Sequence, residues 1–136
     1  LYMAARSENI NIIKKFYKKR IILIDRFTDS TIAYQHYGMG LNLNIINLIN
    51  QFLLKDIKID FTFINLVSTK NLLLRLKKRK SLNRYDKFNM TFYNNVQKGF
   101  LKIAKLKKKK YQLVNSNLEI KTNEKLILNR IEKLIK

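Results

Sequence analysis

An apolar run, Ile21-Ile22-Leu23-Ile24, stops at Asp25-Arg26, and clustered hydroxyls and an amide follow: Thr28, Ser30, Thr31 and Gln35. Arg20 to Ile24 is expected to form a buried strand. Polar groups at the carboxyl end of such a strand sit where open α/β sheets bind ligands. Arg26 offers a planar, always-charged fork suited to a phosphate, while Ser30, Thr31 and Gln35 offer neutral hydrogen bonds for orientation. Two plainer roles compete at these positions. Arg26 could pair with Asp25 or Asp29, and Asp25 could cap the helix that follows.

Other cations are spaced for chemistry. Tyr2 and Arg6 are four residues apart and share one helical face. Arg75, Lys77, Lys78, Arg79 and Arg84 form a cationic stretch, in which Lys77, Lys78 and Lys80 suit a solvated face. His36, the single histidine, lies between Tyr34 and Tyr37 and receives no role.

The elements that must position these groups follow from periodicity. Tyr2, Met3, Ile10, Ile13 and Phe16 recur at helical spacing from the first residue with no cap before them, so a helix is expected to Tyr17 with something missing upstream. Helix is expected again from Asp29 until Gly38 and Gly40 stop it. Asn44 to Leu54 carries a broad apolar face. Asp60 to Val67 is rich in β-branched and aromatic residues and predicts a second buried strand. Amphipathic helices are expected over Thr69 to Lys80, Lys87 to Lys105 and Asn123 to Ile135. Lys107 to Lys110 suits a solvated turn, and Tyr111 to Val114 a short third strand. Strands separated by helices argue for a parallel sheet between helical layers.

The chain of 136 residues suits a single domain, 1–136, with no Pro, three Gly and no flexible linker. It has no Cys, which removes disulfides and thiolate chemistry and accords with a reducing compartment. No apolar run approaches the ~20 residues that span a bilayer, and a cytoplasmic protein is expected. Lys and Arg number 29 against 9 acids, a formal net charge of +20. Such an excess suits a nucleic acid or an anionic surface. It also accompanies the Ile, Asn, Leu, Tyr and Phe bias of AT-rich coding.

The central block resembles the signature of thymidylate kinase position by position: the Asp25-Arg26 pair, aromatic Phe27, two variable residues, Ser30, small Thr31, aliphatic Ile32, then Ala33-Tyr34-Gln35. Leu1 to Arg6 looks like that family's substrate helix, Asp60-Phe61-Thr62-Phe63 like its next strand, and residues 76–87 fall where its mobile lid lies. The resemblance implies a partial P-loop NTPase-like fold, three-layer α/β/α with a parallel sheet whose first strands are missing. One absent strand belongs between those at Ile21 and Asp60. Nothing in the chain matches the GxxxxGK[ST] loop that holds ATP phosphates.

The implied activity is transfer of a phosphoryl group from ATP, with Mg²⁺, to dTMP, giving dTDP. Arg26 would hold the dTMP phosphate, Arg6 would meet the thymine carbonyl and Tyr2 would stack on the ring. Ser30, Thr31 and Gln35 would complete the substrate contacts, Asp25 would lie near the phosphates and magnesium, and Arg79 and Arg84 would close over ATP. No residue is assigned as a metal ligand. A homodimer through the helices near Arg6 and Asn44 is implied for the full-length protein, and this portion alone is expected to be inactive. Met39, Leu66 and Asn83 depart from the family pattern, where Arg, Asp and Asp are usual. The alternative is a small basic nucleic-acid-binding protein, and a degenerate remnant is a third reading.

Overall fold

The first helix, α1 (Tyr2–Phe16), ends in Lys14 and Lys15, cations that complement the negative end of a helix. The computed structural model describes residues 2–55, 57–80 and 88–135, with side chains at the amino end described from Ala5 onward. It divides into two compact units, Leu1–Asp60 and Phe61–Lys136.

In the first unit, α1 is followed by a turn in which the Lys19 and Arg20 amides donate to the Phe16 carbonyl at 2.8 and 3.0 Å. The signature then begins with one turn of α-helix, α2 (Thr28–Thr31). It continues directly into a π-helical segment, Ile32–Gly38. Wide π turns of this kind recur at functional sites. Gly40 takes the left-handed conformation, φ 77°, and its amide closes on the His36 carbonyl at 2.8 Å. The His36 Nδ1–H donates to the Leu41 carbonyl at 2.8 Å, which gives the lone histidine a structural task. Next comes α3 (Leu43–Leu54), capped by Asn42, whose side chain accepts from the Asn44 and Ile45 amides. The inner positions are Ile10, Thr28, Thr31, Ala33, Ile46 and Asn50, an unusually polar set for so small a core. At the unit's far end, the Lys58 amide donates to the Tyr17 hydroxyl at 2.7 Å.

The second unit is built on a parallel pair, β1 (Thr62–Leu66) and β2 (Tyr111–Asn115), in register from Thr62 opposite Tyr111 to Leu66 opposite Asn115. A parallel pair needs a long crossover. Here it contains α4 (Thr69–Lys77) and α5 (Met90–Leu106). Ser68 and Asn89 cap these helices, accepting from the amides of Asn71 and Phe92. α5 packs on both strands and supplies Phe92, Tyr93, Val96 and Ala104 to a core completed by Ile64 and Val114. Lys108–Lys110 forms a 3₁₀ turn, and α6 (Ile120–Ile135) ends the chain's described part. The Arg130 guanidinium lies 4.6 Å from the Phe61 ring centroid.

The helices, the parallel pairing and the solvated Lys107–Lys110 turn match the sequence expectations to within a few residues. The buried strand expected at Arg20 to Ile24 does not form. Residues 21–24 carry no ladder, and Ile21, Leu23 and Ile24 are 64, 79 and 44% exposed. A strand is defined by its neighbour. Among the described residues the sheet contains β1 and β2 alone, and the apolar run, despite its β propensity, joins no ladder among them. The strand expected over Asp60 to Val67 is shorter at both ends, and α4 stops at Lys77 rather than Lys80. Most of the stretch expected as a lid, including Asn83 and Arg84, lies outside the described residues.

Candidate functional site

The signature places its arginine in an unusual backbone state. Arg26 has φ 59°, the left-handed region that costs a residue with a β-carbon on the order of 1 kcal/mol. Strain of this kind persists where the surroundings over-determine it, and such places cluster at binding sites. The Arg26 side chain is exposed, and its guanidinium carbon lies 5.2 Å from the Tyr34 ring centroid. The turn of helix between them carries Arg26 onto the face of an aromatic eight residues later, where a cation and a π-system attract.

Arg6 is held differently. Its Nη2 donates to the Thr31 hydroxyl at 2.6 Å and to the Phe27 carbonyl at 3.3 Å, and its Nη1 donates to the Asn50 side-chain oxygen at 3.3 Å. Its guanidinium carbon also lies 5.5 Å from the Phe27 ring centroid. Thr31 and Asn50 are 5 and 7% exposed. Burial holds the Arg6 guanidinium below its usual pKa, yet an arginine so placed stays charged. One side chain therefore ties α1 to the signature and to α3.

Between α1 and the apolar run Ile22 to Ile24 lies an open groove of about 390 Å³. Ala5, Arg6 and Asn9 line it from the helix, and Asp25, Arg26 and Phe27 line it from the signature. Two cations and one carboxylate thus share a single concavity with apolar walls from Ile12, Ile13 and Leu23. Two cations on such a concavity suit an anionic group.

The other expected residues fall as follows. Asp25 is exposed on the groove; the position preceding α2 is Phe27, which makes no side-chain cap bond, so the capping alternative for Asp25 is not realised. Ser30 and Gln35 are half-buried on the helical part of the signature. Thr31 is buried with its hydroxyl accepting from Arg6. Tyr2 lies one turn before Arg6 on α1, with its side chain outside those described. Arg79 is exposed in the second unit, just past the end of α4, its amide donating to the Leu76 carbonyl at 3.2 Å. Arg84 lies outside the described residues. Sequence reasoning missed Asn50, whose signal was a polar residue four positions after Ile46 on the inward face of an amphipathic helix. It also left Tyr34 without a task, although the residue stood within the quoted block.

A family model described as thymidylate kinase matches residues 1–127. The chain belongs to the thymidylate kinase family. It is 33% identical over 137 residues to the thymidylate kinase of Trichodesmium erythraeum, with 99% of this chain and 57% of that protein aligned. It is 41% identical over 106 residues to that of Ehrlichia chaffeensis, with 76 and 50% covered. The crystal structure of thymidylate kinase from Ehrlichia chaffeensis superposes with a TM-score of 0.72 at 29% identity, covering 96% of this chain and 60% of that one. Helix-rich units with a parallel strand pair are what part of such an α/β kinase fold looks like. The chain spans about 57% of the length of its Trichodesmium relative.

Proposed function

We propose that this chain is the dTMP-holding portion of a dTMP kinase, with residues 1–136 acting as one domain and the stretch 76–87 as its lid. The observation that carries the reading is the groove on which Arg6, Asp25 and Arg26 meet. In the reaction the bond between the γ-phosphorus of ATP and its bridging oxygen breaks, a new P–O bond forms to a dTMP phosphate oxygen, and ADP and dTDP leave. Little covalent help is required; the protein aligns the two phosphates and spreads positive charge along their oxygens.

Each residue then has a task. Arg26 grips the dTMP phosphate with its planar fork, presented by the stacking on Tyr34 and by the bent backbone at its own position. Arg6, which lines the groove, donates to a thymine carbonyl, with Tyr2 stacking on the ring. Ser30, Thr31 and Gln35 complete the polar lining through direct contacts or, for Thr31, through Arg6. Arg79 and Arg84 close on ATP. Asp25 offers one exposed carboxylate beside the phosphate end. A magnesium ion is commonly held by one or two carboxylates together with phosphate oxygens and water, so this donor set fits an ion carried by the nucleotide. That ion would neutralise phosphate charge.

The sequence has no GxxxxGK[ST] run, so the reading assigns this chain the dTMP half of the reaction and expects no turnover from it alone. α3 leaves Ile45, Leu48 and Phe52 exposed along one face, which supports a homodimer of the whole protein covering that face. No described helix is long and apolar enough to cross a membrane, and a cytoplasmic enzyme is the accompanying reading.

The test is thermal unfolding of the chain with and without dTMP. Saturating dTMP should raise the midpoint, and Arg26→Ala should abolish the rise. No shift with dTMP, combined with oligonucleotide binding that falls steeply with salt, would replace the proposal with a basic nucleic-acid-binding role.

A further inference from the structure

α3 turns Ile46 and Asn50 inward, four positions apart and therefore on one face. Ile46 is what an amphipathic helix places there. Asn50 is not, and a buried amide is tolerated when its polar atoms are hydrogen-bonded. Its side-chain oxygen accepts from Arg6 Nη1 at 3.3 Å. A guanidinium offers donors alone, so the amide must present its oxygen to Arg6 and not its nitrogen. With Nη2 bonded to Thr31 and to the Phe27 carbonyl, the plane of the guanidinium is fixed from α1, the signature and α3. Asn50 is the contribution of α3. It lies outside the side chains that line the groove, so it reaches a ligand through Arg6.

From this geometry we infer that Asn50 is a positioning residue that sets the direction of the Arg6 donors and thereby selects a pyrimidine nucleotide carrying an oxygen, rather than an amino group, at ring position 4. The inference rests on the proposed function. A donor-only group fixed in direction rewards an acceptor and leaves an opposing amino group unpaired, whereas a guanidinium free to swing discriminates less. Asn50 is not among the residues that line the groove beside Arg26, so affinity for the phosphate part alone serves as the control.

The test is calorimetric binding of dTMP, dCMP and deoxyribose 5-phosphate to the chain and to Asn50→Leu, Asn50→Ala and Asn50→Asp. The unaltered chain should prefer dTMP to dCMP. Leu, similar in volume but without an acceptor, should reduce that preference by roughly tenfold, leaving deoxyribose 5-phosphate affinity unchanged. Ala, which leaves space rather than bulk, should do the same. Asp, which still accepts from Arg6, should keep the preference. An unchanged dTMP to dCMP ratio in a folded Leu or Ala variant overturns the inference, as does an equal loss with Asp, which would mean that an acceptor facing Arg6 is not what sets the preference. Failure of the unaltered chain to bind dTMP would instead sink the proposed function, and the inference with it.

Discussion

The two arginines of the groove are held by opposite means. Arg6 is half-buried and pinned by hydrogen bonds to Thr31, Phe27 and Asn50; Arg26 is exposed, sits on a left-handed backbone and rests on the Tyr34 ring. A pinned guanidinium reads direction, because its donors cannot follow a misplaced acceptor. A stacked one keeps its edge open to solvent and to an arriving anion, since the ring attracts the face of the cation without consuming its N–H groups. The contrast teaches that one guanidinium gets its orientation from burial and hydrogen bonds, while the other keeps its charge exposed to solvent.

Breaking each arginine should therefore give opposite phenotypes. Arg26→Ala should weaken dTMP binding about a hundredfold, the loss of a charge-assisted phosphate contact, while the ligand-free unfolding midpoint stays put. Titration calorimetry, with thymidine as the control that lacks the phosphate, checks this. Arg6→Ala should do the reverse in part, lowering stability in urea by on the order of 2 kcal/mol because Thr31 and Asn50 lose a buried partner. Arg6→Lys should recover little of it, since an ammonium cannot reproduce the planar fork. Ligand-free denaturation curves decide the matter.

Smaller changes sharpen the comparison. Arg26→Gly and Arg26→Ala both remove the guanidinium, yet Gly should be the more stable by roughly 0.5–1 kcal/mol because it adopts φ near 59° without strain. Equal stabilities would show that the backbone there is not strained. Tyr34→Leu should cost about 0.5 kcal/mol of dTMP affinity by removing the cation–π contact. Tyr34→Phe, which keeps a ring, should cost less, and a parallel loss in both would point to the hydroxyl.

Much of this was legible in the residues themselves. The helices announce themselves through apolar spacing, although their caps Ser68 and Asn89 were not read from it, and the signature block points to its family because so many matching residues fall in one window. What was not legible depends on distant partners. Ile21 to Ile24 has the composition of a buried strand, yet strand formation requires a neighbour, and local propensity says nothing of whether one is present. Asn50 is 44 residues from Arg6, so no local pattern connects them; a polar residue on the inward face of α3 hints only that some partner exists. The left-handed backbone at Arg26 is likewise silent, because the usual marker of that conformation is glycine and an arginine stands there.

The most direct test is a crystal structure of the chain soaked with dTMP. The account predicts the nucleotide in the groove between α1 and the Asp25–Phe27 turn, its phosphate within hydrogen-bond reach of Arg26 and its thymine against Arg6. Nucleotide bound elsewhere, or in the groove with its phosphate pointing away from Arg26, would contradict it.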